Sequence, residues 1–398
     1  MTLSSDKGRA RLFTQGGTSM NDVTFLHTAD LHIDLPVRGF KGNERQRATR
    51  HDDYRRTFGR IVDLCVERKV DFLFIAGDFL EYATVRRQTV AWVISQLERI
   101  AETKVLIAPG NHDPLREDSF YRTLSWPENV HFFAEEWEEK WYPEMNLRIW
   151  GRGFTQFEEQ VTRYPTVNGR TDERRLMILH GTFPMQEESG PYYPLSETGL
   201  TPLEMDYIAL GHIHQARDME LNNQRRTKIS YPGSPEALNW TEIGERRVIL
   251  GKMTPEGFTI ESIPIESRCY EIDEINLTGC ETEEELCERI LVQIPPGQGR
   301  DSCRRLILEG RRRVDFELSE DWILLQLEEA GFFYVELIDH TIPDYDLEKL
   351  AQEEGLTGVF LRRMQERVAE AKEEEQGMLE RALYQGLDAL LGSEVSKG

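Results

Sequence analysis

A layered α/β fold is predicted by three features of the sequence. Short apolar runs alternate with amphipathic helical stretches from residue 23 onward, 398 residues exceed one ordinary core, and residues able to bind metal follow most of the runs. The runs occupy 23–29, 71–77, 104–110, 147–153, 176–181 and 207–212. Between the first two, Tyr54, Phe58, Ile61, Val62 and Cys65 share one helical face; after the second, Val90, Val93, Ile94, Leu97 and Ala101 do the same. Both helices are expected to cover a central sheet. The segments after Gly211 read as strands that close this domain near residue 265. A second, small α/β unit follows in the order strand, helix, strand, helix, strand, with 295–300 (PPGQGR) as an internal loop. Residues 341–398 are acidic and helical. Leu361, Met364, Val368 and Ala371, then Leu379, Leu383, Leu387 and Leu390, form an apolar stripe that needs a cover.

The composition, 39% hydrophobic and 30% charged, fits a globular protein, and no window reaches the roughly 18 apolar residues of a membrane span. Residues 1–22 lack the apolar run of a secretion signal and are expected to be a disordered extension, with a second start at Met20. Cys65, Cys269, Cys280, Cys287 and Cys303 are odd in number and widely spaced, which argues against a disulfide framework and for a reducing cytoplasm. A net charge of −23 requires any contact with nucleic acid to be local, because DNA affinity comes largely from Lys and Arg at phosphates. Arg45, Arg47, Arg50, Arg55 and Arg56 are candidates for that contact; an equally good reading is a solvated helix flank. Arg304, Arg305 and Arg311–Arg313 invite the same two readings.

Five short blocks carry the chemistry: Asp30-Leu-His32, Gly77-Asp78, Gly110-Asn111-His112-Asp113, His180-Gly181 and Gly211-His212-Ile-His214. Each alone is a common coincidence. Together they offer carboxylates, one amide oxygen and imidazoles, a donor set suited to Mn²⁺, Fe²⁺ or Zn²⁺, with no thiolate. On an extended strand, residues i and i+2 point to one side, so Asp30 with His32, and His212 with His214, are each expected to face a single ion. His27, His131 and His340 read as structural histidines, and Asp34 and His51 have no assigned part.

This ordered set resembles the calcineurin-like metallophosphoesterases. The blocks 25–36 and 71–81, with YPGSPEALNW at 231–240, narrow the resemblance to bacterial repair exonucleases of the SbcD and Mre11 type. The resemblance implies a β-sandwich flanked by helices (23–265), a capping domain (266–340) and a helical partner-binding segment (341–398). It implies two divalent cations, Mn²⁺ first among them. Asp30, His32, Asp78 and His214 would hold one ion, and Asp78, Asn111, His180 and His212 the other. His112 would protonate the leaving oxygen, with Asp113 orienting its ring or capping a helix, and Glu81 is expected near the substrate. DNA and an SMC-like ATPase subunit of the SbcC/Rad50 type are the implied partners, and the resemblance also admits a homodimer. The alternative is a phosphodiesterase, phosphatase or pyrophosphatase for small phosphate esters, which the negative net charge favours.

Overall fold

The structure, a computed structural model, describes residues 22–37, 39–168, 170, 172–185, 190 and 192–395, so the expected extension lies almost wholly outside the described residues. These form two compact units. The first comprises 22–37, 50–238 and 245–267, and the second 39–49, 239–244 and 268–395.

All six apolar runs become strands of the first unit, which holds two six-stranded sheets. One is ordered β12-β11-β1-β2-β3-β4, from Gly257–Pro264, Arg247–Thr254, Val23–Thr28, Phe72–Ile75, Lys104–Ile107 and Val130–Phe132. The other is ordered β5-β6-β7-β8-β10-β9, from Glu138–Tyr142, Leu147–Gly151, Arg174–His180, Tyr207–Gly211, Lys228–Tyr231 and Arg217–Glu220. Strands β1, β2 and β3 run parallel, as do β6, β7 and β8, and such strands are buried on both faces. Phe25, Phe74, Leu106, Leu176, Ile178 and Tyr207 fill the space between the sheets. The outer face of the first sheet is covered by α1 (Glu44–Arg68) and α2 (Arg87–Glu98), through Phe58, Ile61, Val62, Cys65, Val90, Val93 and Leu97. Each such side chain, fully buried, contributes about 1.5–3 kcal/mol. Connecting segments cover the outer face of the second sheet, where Trp150, Met177, Leu179, Leu210 and Tyr231 are buried.

In the second unit three parallel strands, β13 (Cys269–Asn276), β14 (Ser302–Glu309) and β16 (Tyr334–Asp339), lie in the order β13-β14-β16. Helices α5 (Glu283–Gln293) and α7 (Glu320–Glu329) bury Leu286, Ile290, Ile323 and Leu327 against Ile275, Leu306 and Leu308. Pro296–Arg300, expected as loop, forms a short helix started by Pro296 at its first turn. Much of the C-terminal stripe is covered within the chain. Leu361 and Met364 on α9 (Leu356–Glu370) bury against Leu383 and Leu387 on α10 (Glu373–Val395), with Tyr345, Leu347 and Leu350 beside them. Among the described residues, the large apolar side chains left most open on this helical pair are Leu356, Val359 and Met378.

One polar network fixes α1 within the first unit. Arg50 is 0% exposed and donates to Asp53 at 2.9 Å, to Glu236 and to the Ala237 carbonyl. Glu236 also accepts from Thr57 and from the Ser267 amide, both at 2.7 Å. The YPGSPEALNW segment is thereby tied to α1 by charge rather than by its turn alone. Removing one partner of a buried ion pair strands the other, so Arg50→Met should lower the unfolding free energy by about 3–5 kcal/mol. Arg45→Ala, at an exposed position of the same helix, should stay within about 0.5 kcal/mol in the same denaturant titration.

Candidate metal centre

The parallel strands of both sheets end at one pole, and the five blocks follow those ends. Thr28, Ile75 and Ile107 terminate neighbouring strands of one sheet; His180 pairs with Gly211 at the end of the other. Beyond them, Asp30 N donates to the Gly77 carbonyl at 3.0 Å and His32 N to the Asp78 carbonyl at 2.8 Å, so the two ligand loops run side by side. The expected extended geometry is absent. Asp30, His32, Asp78 and His212 have φ of 52°, 45°, 50° and 102°, and left-handed turns, not strand alternation, aim these side chains inward. Asp and His tolerate that region better than branched residues do. Two glycines serve close approach: a Cβ on Gly110 would sit 2.3 Å from Asp78 Oδ1, and one on Gly211 would sit 1.9 Å from the Ala76 carbonyl oxygen.

Among the described residues the side chains converge in three overlapping groups: Asp30, His32, Asp78 and His214; Asp78, His180 and His212; and, toward the surface, His32, Glu81 and His112. The first two are the expected ligand sets. Asp78 is common to both. Its Oδ2 lies 3.7 Å from His32 Nε2 and 3.4 Å from His180 Nε2. Asn111 Oδ1 is 2.9 Å from His180 Nε2, and His32 Nε2 is 3.2 Å from His214 Nε2. Asp30, His32, Asp78 and His180 are buried almost completely.

This donor set fits two divalent cations. Two buried carboxylates with few cationic neighbours, and imidazole nitrogens turned toward one another, are arranged for positive charge that the protein itself does not supply. The electrostatics say the same. Burial drives the Asp78 carboxyl upward, yet His180, His32 and His112 outweigh it and hold it well below the usual carboxylate range. Burial and the neighbouring His180 push His212 down to about 3, leaving the neutral imidazole a ligand requires. Burial opposes charge on His180 too, but Asp78 prevails and raises it to about 9, so a proton there stands where a cation would bind. All five cysteines are free, and none belongs to the cluster.

His112 stands outside the two groups that share Asp78, and its side chain is 43% exposed. Its backbone amide donates to Asp78 Oδ1 at 2.8 Å, and its Nδ1 lies 3.1 Å from Glu81 Oε2. That hydrogen bond is the main reason the His112 imidazolium is pushed up to about 9, against its partial burial. Glu81 also reaches His32 Nδ1 at 3.4 Å. Glu81, then, orients His112, a part the resemblance offered to Asp113 as an alternative to capping a helix. The Asp113 carboxylate is turned away, accepting from the amides of Asp78 (3.1 Å), Phe79 (2.7 Å), Leu80 (3.2 Å) and Gly110 (2.6 Å) and from the Tyr121 hydroxyl. Asp34 was a second residue without an assigned part. It accepts from Arg55 and the Arg86 amide, both at 3.0 Å, and lies 3.2 Å from His51, pinning the loop that follows His32 to both covering helices. His27 and His131 are structural, bonded to Tyr207 and Glu138.

Most of the candidate DNA-contact arginines are held by other groups of the chain. Arg50 is buried and fully engaged as described, so it has no surface to offer a phosphate. Arg55 is held by Asp34 and Thr89, Arg56 by Asp53 at 2.9 Å, and Arg47 by the Gly42 carbonyl at 2.8 Å, while Arg45 is exposed. In the second unit Arg304 and Arg305 are likewise paired, with Asp273 and Glu336.

Since Asp113 shapes the Asp78 loop without facing the cations, Asp113→Ala should weaken Mn²⁺ binding although no ligand is removed. Calorimetric titration checks this: parental affinity with reduced turnover would instead make Asp113 part of the reaction.

Residues 23–216 match the calcineurin-like phosphoesterase family. An uncharacterized metallophosphoesterase of Bacillus subtilis, YhaO, is 29% identical over 306 residues, 73% of this chain and 72% of that protein. The DNA double-strand break repair protein Mre11 of Methanopyrus kandleri is 24% identical over 67% of this chain and 62% of its own length, less than two thirds. The Mre11 protein of Saccharolobus solfataricus is 22% identical over 81% of this chain and 84% of its own. The left-handed ligand turns, the shared Asp78 and the protruding His112 thus all lie within residues 23–216, the part of the chain that is a calcineurin-like phosphoesterase domain.

Proposed function

We propose that the chain is a nuclease that hydrolyses phosphodiester bonds of DNA in the repair of DNA breaks. The observation that carries the reading is the reach of the likeness to Mre11 proteins, which extends over 81% of the chain and so well beyond residues 23–216. Two divalent cations held by Asp30, His32, Asp78 and His214 and by Asp78, Asn111, His180 and His212 would supply charge against the phosphoryl oxygens and lower the pKa of a water. The remaining work falls to the chain's own side chains. His112, raised by Glu81 and protonated at neutral pH, holds a proton on the exposed side of the site and delivers it to the leaving oxygen. Glu81 fixes the ring through Nδ1 and so leaves Nε2 to face the substrate. The bond from the His112 amide to Asp78 keeps that proton in register with the carboxylate shared by both ligand groups.

The reading carries with it a cytoplasmic location, supported by five free cysteines, and an SMC-like ATPase partner. Leu356, Val359 and Met378, rather than the buried stripe, are the apolar residues such a partner would meet. No helix among the described residues is long and apolar enough to cross a membrane. The net charge of −23 favours the second reading, a hydrolase of small phosphate esters.

Hydrolysis of linear duplex DNA, single-stranded DNA and bis(p-nitrophenyl) phosphate with Mn²⁺ separates the two. Cleavage of DNA with kcat/KM well above that for the nitrophenyl ester is expected, and the reverse order would favour the small-ester enzyme. In the same assay His112→Ala should slow DNA cleavage about 10²–10⁴-fold, the usual range for a general acid. The loss should be much smaller on the nitrophenyl ester, whose leaving group needs little protonation. Equal losses would remove the acid role from His112.

A further inference from the structure

On the side of the metal centre where His112 protrudes, three side chains form a cluster that the reaction does not use. Phe157 is 45% exposed, although large aromatic side chains are usually mostly buried. Its ring meets Tyr82 edge to face, with centroids 5.5 Å apart and planes at 75°. The Arg116 guanidinium lies over both rings, 5.4 Å from the Phe157 centroid and 5.9 Å from that of Tyr82. Asp118 steadies the assembly by accepting from the Tyr82 hydroxyl at 2.6 Å and from Arg116 Nε at 3.4 Å.

The cluster is fastened to the catalytic loop at three points. Tyr82 N donates to the His112 carbonyl at 3.0 Å, and its neighbour Glu81 holds the His112 ring. Phe154 N donates to the Pro109 carbonyl and Leu115 N to the Phe154 carbonyl, both at 2.8 Å, which ties the segment leading to Phe157 onto the segment containing His112. Arg116 follows Leu115 directly. An exposed ring with a fixed orientation is thus held in register with the group that faces the leaving oxygen.

We propose that Phe157, with Tyr82 and Arg116, is a stacking subsite for an unpaired nucleobase next to the scissile phosphate. The inference rests on the nuclease reading and deepens it, because it sets the substrate as a strand that is single at the point of cleavage. Bases inside a duplex have both faces covered by their neighbours, whereas an unpaired base offers a free face to an aromatic ring. Rings with an arginine beside them suit any base, so the subsite gives preference for single-strandedness rather than for sequence. The −23 net charge is consistent with this, since stacking draws affinity from a contact that needs little basic surface.

The test uses the full chain with Mn²⁺ and compares Phe157→Ala, Phe157→Leu and Phe157→Trp on a single-stranded oligonucleotide and on bis(p-nitrophenyl) phosphate. Phe157→Ala and Phe157→Leu should raise KM for the oligonucleotide about tenfold, equivalent to about 1.4 kcal/mol. That loss should exceed any loss on the nitrophenyl ester at least fivefold, and Phe157→Trp should restore the parental KM. Phe157→Leu keeps apolar bulk under Arg116 and guards against a folding artefact in the alanine variant. An oligonucleotide KM indifferent to all three substitutions, or equal losses on both substrates, overturns the subsite while leaving the nuclease reading in place. A parent enzyme that cleaves the ester but neither binds nor cleaves the oligonucleotide overturns both.

Discussion

The metal centre depends on one buried carboxylate that never meets a cation. Asp113 gathers the amides of Asp78, Phe79, Leu80 and Gly110 around itself and adds the Tyr121 hydroxyl. These groups sit where strands have ended and ladder partners are gone, and a buried amide without an acceptor is costly. By satisfying four of them at once Asp113 makes the left-handed turn at Asp78 tolerable and brings the second and third blocks together. The arrangement has a cost of its own, since burial and the nearby Asp78 charge both raise the Asp113 carboxyl, with the hydrogen bonds opposing them. Cations on the far side of Asp78 would relieve that repulsion, so the fold and the metals stabilise each other.

From this anchor the site spreads along the chain in a consistent way. The Asp78 carboxylate that Asp113 positions accepts from the His112 amide, and Glu81, three residues on from Asp78, takes the His112 ring. Asp34 then ties the loop behind His32 to both covering helices. Each acid in the series fixes a donor belonging to the next element, so the exposed ring of His112 is backed by the sheet rather than by a free loop.

Much of this was legible in the sequence because the strongest signals were local. Within the runs 71–77 and 104–110 the strand residues 72–75 and 105–107 are apolar and buried on both faces, and the residues that follow them are the ones that turn toward the pole. Of the seven expected ligands, Asp30, His32, Asp78 and His214 converge in one group and Asp78, His180 and His212 in another, with ligand atoms within 4.8 Å of one another in each, and Asn111 joins His180 at 2.9 Å. What was not legible was long-range pairing. Arg50 looks like any basic residue on a charged helix until Glu236, 186 residues away, closes on it. Glu81 takes the ring-orienting part expected of Asp113 because the choice between backbone amides and an imidazole depends on where two loops cross, which spacing does not encode. The stripe on 361–390 was visible, but its cover was another stretch of the same stripe.

The central claim is that Asp78 is the carboxylate shared by two cations. Titration of the purified protein with Mn²⁺, followed by calorimetry and by elemental analysis of the dialysed complex, tests it most directly. Two ions per chain are predicted for the parent, and Asp78→Ala should bind both so weakly that neither survives dialysis. An Asp78→Ala protein that retains two ions at parental affinity would contradict the account.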